Sequence, residues 1–151
     1  MERERAEVDV WITYICDLVT LDDSGLIKTV RNTISIHSNE VGRNSAILQA
    51  KSSSRAQHNF MRSLAAYSVI TYVLQIRGSH NGNILLDTEG HIVHTDVRIM
   101  LSNSRGSVGF ELAPFKLPQE YIDVLGGVNS EKFTEVKALL KKAFMAVRKH
   151  T

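Results

Sequence analysis

His80, Asn81 and Asn83 share one small, polar stretch, Arg77-Gly78-Ser79-His80-Asn81-Gly82-Asn83, and Asp96 follows a little further on. An amide oxygen and a carboxylate are hard donors of the kind Mg²⁺ takes. An imidazole beside them can handle the proton of an attacking hydroxyl. The chemistry this combination suits is metal-assisted phosphoryl transfer, with Asn83 and Asp96 as ligands and His80 earlier in the loop. For the two ligands to meet, the chain between them must double back. Asn83-Ile84-Leu85-Leu86 and His91-Ile92-Val93-His94-Thr95 read as strands, joined through Asp87-Thr88-Glu89-Gly90, whose leading Asp and closing Gly suit a tight turn. A hairpin of that length brings position 96 back beside position 83. His91, His94 and Asp96 also have the residue types of a transition-metal site, but strand alternation sends 91 and 94 to opposite faces.

Other elements must hold that hairpin. Phe60, Leu64, Tyr67, Thr71 and Leu74 recur at helical spacing, and Met61, Ala65, Val69, Tyr72, Val73 and Ile76 widen the stripe until most of the circumference is apolar. Such a helix is buried, so residues 57–76 are the predicted spine of the core, with Ser54 and Gln57 as a capping box. Upstream, Val10-Trp11-Ile12-Thr13-Tyr14-Ile15 and Leu18-Val19-Thr20 have strand composition, and Asp22-Asp23-Ser24-Gly25 reads as a turn. An extended or short helical piece spans Leu26 to Ile36, and the polar segment Ser38 to Arg55 reads as a linker. After the hairpin, Asp96 to Phe115 is a long loop without period. Pro118 and Gly126-Gly127 bracket a short helix, and Phe133, Val136, Leu140, Phe144 and Val147 mark a final amphipathic one capped by Asn129 or Ser130.

Composition narrows the function. The 151 residues are 43% hydrophobic and 23% charged, which suits one globular domain. No apolar run approaches a membrane span, and the charged start Met1-Glu2-Arg3-Glu4-Arg5 is unlike a signal peptide, so the chain reads as intracellular and soluble. A single cysteine, Cys16, leaves no internal disulfide. The net charge of +2 gives no argument for nucleic acid. Positive charge gathers instead on the last helix, where Lys132, Lys137, Lys141, Lys142, Arg148 and Lys149 face only Glu131 and Glu135. That face reads as a solvated one, with attraction to anionic lipid as the second reading.

The order helix, asparagine loop, hairpin, aspartate and long loop is how kinases build their site. At these residues the sequence resembles the phosphatidylinositol 3- and 4-kinase family, most of all its beta-class type III phosphatidylinositol 4-kinases. His80-Asn81-Gly82-Asn83-Ile84-Leu85-Leu86-Asp87 and Glu89-Gly90-His91-Ile92 are similar to the family's catalytic loop and hairpin. Leu101-Ser102-Asn103-Ser104 and Gly106-Ser107-Val108-Gly109-Phe110-Glu111 resemble its activation loop, and Asp22 to His37 its interlobe hinge. The resemblance implies an α+β fold: the C-terminal lobe of a protein-kinase-like lipid kinase, mainly helical, with the hairpin at the cleft and a remnant of N-lobe strands and hinge. Residues 1–151 are then a partial catalytic domain, with N-lobe remnant and hinge at 10–37, a shortened linker at 38–55 and the C-lobe at 56–151.

The resemblance further implies ATP and Mg²⁺ as cofactors and phosphatidylinositol, at a membrane surface, as the acceptor of the γ-phosphate on its 4-hydroxyl. His80, Asn81 and Asn83 become catalytic-loop residues, Asn83 and Asp96 the Mg²⁺ ligands, and the backbone of Lys28 and Val30 the adenine contact. Arg98, Arg105 and Lys116 would face the headgroup phosphates. The implied location is cytoplasmic, peripheral on Golgi membranes. The chain also departs from the pattern. Gly78-Ser79 stands where the family loop has Asp-Arg, and Asp96-Val97-Arg98 where it has Asp-Phe-Gly. Thr95 replaces an apolar residue expected under the nucleotide. No glycine-rich phosphate loop or strand lysine precedes Trp11. Negligible kinase activity is therefore expected, with a pseudokinase that binds Mg-nucleotide or a protein partner as the alternative.

Overall fold

In a computed structural model of the chain, the described residues are 18–21, 24–27, 29–37, 47–48, 50–76, 81–95 and 115–149. The central element is a 20-residue helix, α1 (Ser54–Val73), and its burial explains its sequence. Phe60, Met61, Leu64, Ala65, Tyr67 and Val69 are all buried on it, so nearly the full circumference is covered through Thr71. Its C-terminal end departs from the expectation: the helix stops at Val73 rather than Ile76, and Tyr72, Val73 and Leu74 are exposed. The helix starts a turn-fraction earlier than its periodicity suggested. Ser53, in extended conformation, is the cap, and its hydroxyl accepts from the Ala56 N–H at 3.0 Å. Gln57 takes no part in a capping box; its Oε1 accepts from Lys132 Nζ at 2.6 Å, tying α1 to the last helix.

Two sheets precede and flank α1. Strands β1 (Leu18–Leu21) and β2 (Ser24–Ile27) form an antiparallel pair, with Leu21 opposite Ser24, so Ser24 and Gly25 belong to a strand rather than to the predicted turn. Strands β3 (Thr33–Ser35), β4 (Ile84–Asp87) and β5 (Ile92–His94) form an antiparallel sheet in that order. The predicted hairpin is β4–β5, in register Ile84 to His94 and Leu86 to Ile92. Within the segment read as a linker, Ile47, Leu48, Ala50 and Lys51 are helical, and Ala50 is fully buried. The predicted strand at Val10 to Ile15 and residues 96–114 of the predicted long loop lie outside the described residues.

Helix α2 (Gln119–Leu125) is capped by Pro118 at its N-terminus and ends at Gly126, whose φ of 86° makes a left-handed cap. Helix α3 (Glu131–Arg148) follows at once. Ser130 serves both helices: its hydroxyl accepts from the Phe133 N–H at 3.1 Å and donates to the Leu125 carbonyl at 2.7 Å. The core lies between α1, the sheet and α2, where Phe60, Leu64, Ile84, Ile92, Tyr121 and Leu125 meet. A smaller apolar cluster of Ala66, Val69 and Ala143 joins α1 to α3. Among the described residues, no helix is long and apolar enough to cross a membrane.

Tyr121 packs edge-on against Phe60, ring centroids 5.3 Å apart, yet its hydroxyl is buried with no hydrogen-bond partner among the described residues. Burial, with Glu120 beside it, pushes its ionisation well above the ordinary tyrosine value. A desolvated, unpaired hydroxyl costs on the order of 1–3 kcal/mol. Tyr121→Phe, which keeps the ring and deletes the oxygen, is therefore expected to stabilise the chain by about 1 kcal/mol, raising Tm by roughly 2–4 °C in a thermal melt. A lower Tm would mean that the hydroxyl has a partner.

Candidate active site

The turn that carries Asn81 and Asn83 is a single 3₁₀ turn, Asn81–Asn83, leading directly into β4. Its backbone is gripped from both sides. From β3, the Ser35 hydroxyl donates to the Asn81 carbonyl at 3.2 Å and to that of Gly82 at 3.5 Å, and the His37 N–H donates to Asn81 at 3.1 Å. From the far end of β5, Thr95 donates to the Asn83 carbonyl twice, through its N–H at 3.0 Å and its hydroxyl at 3.2 Å. All three carbonyls of the turn therefore have donors, which fixes where the two asparagine side chains start.

The opposite end of the hairpin is anchored to α1. Asp87 Oδ1 accepts from the Glu89 and His91 N–H groups at 2.9 and 2.8 Å, and Asp87 Oδ2 meets His91 Nδ1 at 2.8 Å. Burial raises the Asp87 carboxyl's pKa, but the bonds and charge from His91, with the Glu89 N–H, outweigh it and leave the group below its ordinary value. Asn59 Nδ2 donates to the Glu89 carbonyl at 2.9 Å, and the Ser63 hydroxyl accepts from the Ile92 N–H at 3.0 Å. These contacts hold the hairpin flat on α1.

His94, one residue before Thr95, stacks on Tyr67 with ring centroids 4.6 Å apart and planes 13° from parallel. Burial, and the nearby Lys116 ammonium, push its imidazole down to about 4, so it is neutral at physiological pH. His91 is engaged with Asp87 and His94 with Tyr67, and among the described residues no group of three His, Cys, Asp or Glu could hold a metal.

Of the residues singled out from sequence, Asn81, Asn83, Val30 and Lys116 are described, and His80, Lys28, Asp96, Arg98 and Arg105 lie outside the described residues. The predicted meeting of the Asn83 and Asp96 oxygens lies outside them for the same reason. Val30 is half-buried and its carbonyl accepts from the Thr33 hydroxyl at 3.2 Å. Lys116 lines a small cavity with Tyr67, Ser68, Thr71, His94 and Tyr121, placing its stem between α1, β5 and α2. At the turn, Asn83 offers an amide oxygen, a donor type that fits a hard divalent cation. Asn81 Oδ1, in the same turn, is a buried acceptor with no hydrogen-bond partner among the described residues. Sequence reasoning missed Ser35 and the bonds that Thr95 makes to Asn83. The signal for Thr95 was present, since a hydroxyl at a position expected to be apolar calls for a partner.

Comparison with known proteins agrees with this geometry. A family model described as phosphatidylinositol 3- and 4-kinase matches residues 37–151. Phosphatidylinositol 4-kinase PIK1 of Saccharomyces cerevisiae is 43% identical over 171 residues, covering 97% of this chain and 16% of its own length. Phosphatidylinositol 4-kinase beta of Xenopus laevis is 42% identical over 159 residues, covering 97% of this chain and 20% of its own. The phosphatidylinositol 4-kinase of Dictyostelium discoideum is 44% identical over 144 residues, covering 87% of this chain and 12% of its own. The chain thus spans about a fifth or less of the length of these curated relatives. The yeast match extends over more positions than the 151 residues here, so that relative holds segments inside the matched span that this chain lacks. The described residues, with helices α1 to α3 and a small three-stranded sheet around the asparagine turn and its hairpin, are consistent with a lipid-kinase C-lobe, and the chain belongs to the phosphatidylinositol 3- and 4-kinase family.

Proposed function

We propose that this chain is a phosphatidylinositol 4-kinase catalytic-domain homologue that transfers the ATP γ-phosphate to the inositol 4-hydroxyl weakly or not at all. In this reading residues 10–37 correspond to the N-lobe remnant and hinge, 38–55 to a shortened linker and 56–151 to the C-lobe. The single observation that carries weak transfer is Gly78-Ser79 at the places of an Asp-Arg pair, directly before His80. Phosphoryl transfer is accelerated almost wholly by positioning and charge neutralisation. Removing one such electrostatic contact costs on the order of 10²-fold in rate, and here a carboxylate and a guanidinium are absent together. Arg98 adds a cation two residues from Asp96, where it opposes a metal ion's charge.

A second reading, nucleotide binding without transfer, is favoured by the retention of Asn83 and Asp96 and by the two-sided grip on the turn of Asn83. Asn83 and Asp96 would hold Mg²⁺, which when bound supplies charge neutralisation for the phosphates. Lys28 and Val30 backbone would meet the adenine, His80 and Asn81 would face the transferred phosphate, and Arg98, Arg105 and Lys116 the headgroup. The family resemblance alone suggests a cytoplasmic location, peripheral on Golgi membranes.

The test is incorporation of labelled phosphate into phosphatidylinositol micelles by the full chain with Mg²⁺. Label close to that of an Asp96→Asn control is expected, and label on the order of 10²-fold or more above that control would overturn the reading. A Gly78→Asp, Ser79→Arg variant is expected to gain rate over the parent, on the order of 10²-fold. Stabilisation by Mg-ATP in a thermal melt, without transfer, identifies the second reading.

A further inference from the structure

We propose that the hydroxyl of Thr95 is a positioning group that braces the Asn83 turn, an addition of this chain to the metal-side machinery. The inference rests on the reading that Asn83 contributes to a Mg-nucleotide site. Any residue at position 95 other than proline would give the Asn83 carbonyl its N–H, as Thr95 does at 3.0 Å. The hydroxyl bond at 3.2 Å is a second hold on the same oxygen, and an apolar residue cannot make it. Asn83 directly precedes β4, and Thr95 directly follows β5, so the pair continues the register of Ile84 with His94 by one more rung. Asp96, the other proposed ligand, is the next residue in sequence.

The brace also completes a symmetric arrangement. Ser35 holds the start of the turn with a hydroxyl, through the carbonyls of Asn81 and Gly82, and Thr95 holds its end. Thr95 is exposed, so its hydroxyl is spent on this contact rather than on filling the core, and its removal leaves no cavity. A hydrogen bond of this kind corresponds to about a fivefold change in an equilibrium.

Three variants of the full chain test the proposal: Thr95→Val and Thr95→Ile remove the hydroxyl while keeping the branched shape, and Thr95→Ser keeps the hydroxyl. Mn²⁺-ATP affinity is read by water-proton relaxation, and backbone protection at residue 95 by amide hydrogen exchange without nucleotide. The expected result is that Val and Ile weaken Mn²⁺-ATP binding about fivefold and lower the protection at residue 95, whereas Ser matches the parent in both. Equal affinity in all four proteins would overturn the proposal. If the parent itself does not bind Mn²⁺-ATP, the nucleotide reading fails, and exchange alone decides the brace: protection lost in Val and Ile but kept in Ser upholds it, and equal protection refutes it.

Discussion

Replacing Gly90 by alanine is expected to destabilise the chain by about 3 kcal/mol or more, enough to lower Tm by roughly 10 °C. Two effects add. Gly90 closes the β4–β5 turn at φ +91°, a backbone conformation that costs an L-residue on the order of 1–3 kcal/mol. The turn also lies directly on α1: an added Cβ would stand 2.9 Å from the Ala56 carbonyl carbon and closer still to its oxygen. Both partners are backbone, so no side chain can swing away. The hairpin would have to lift, stretching the Asn59 bond to Glu89 and the Ser63 bond to Ile92. Gly127→Ala is the control, because Gly127 has φ +102° but nothing within 4 Å of an added Cβ. Urea unfolding of both variants separates strain from collision. Should Gly90→Ala cost no more than Gly127→Ala, the close seating of the hairpin on α1 contributes nothing to stability.

The second large effect is in pH. His94 has its folded pKa pushed down to about 4, from an ordinary value of 6.5, by burial and by Lys116. The unfolded chain therefore takes up a proton at this site as pH falls through about 6.5, and the folded chain does so only near 4. Stability is complete above pH 6.5, declines between about 6.5 and 4, and levels off for this group below 4. The shift corresponds to a loss on the order of 3 kcal/mol across that window. Asp87 acts elsewhere: its carboxyl lies below 3.8 in the fold, so its contribution is present above that value and disappears at lower pH. His94→Phe keeps a ring against Tyr67 without a titrating nitrogen. Urea unfolding at about pH 7.5, 5.5 and 4 in EDTA is expected to show a steep fall for the parent and a shallower one for the variant. Parallel curves would place the imidazole in contact with water.

These two sites show why the hairpin's existence and its seating were not equally legible. The pairing of β4 with β5 follows from strand composition on either side of an Asp-x-x-Gly turn, all local information. The seating depends on Gly90 meeting Ala56 and on Ser63 meeting Ile92, contacts between residues far apart in sequence. The same holds for His94. Its position one strand residue from Thr95 was readable, but its neutral state needs the Tyr67 ring and the Lys116 charge, which α1 and the segment before α2 bring to it.

By itself the sequence determined the elements and their chemistry: the spine helix from its apolar period, the hairpin from its turn, the start of α3 from a cap at Asn129 or Ser130, and the asparagine turn from its family motif. Each depends on interactions within a few residues or on a spacing that the fold merely preserves. Tertiary structure decided the remainder. It moved the α1 cap to Ser53 and turned Gln57 toward Lys132. It made a helical, buried contact of Ala50 in a segment that reads as a linker. It also gave the Asn83 carbonyl a second donor in Thr95 and the Asn81 carbonyl one in Ser35. A hydroxyl's partner is set by which backbone oxygen the packed chain brings within about 3.5 Å, and residue type alone does not carry that distance.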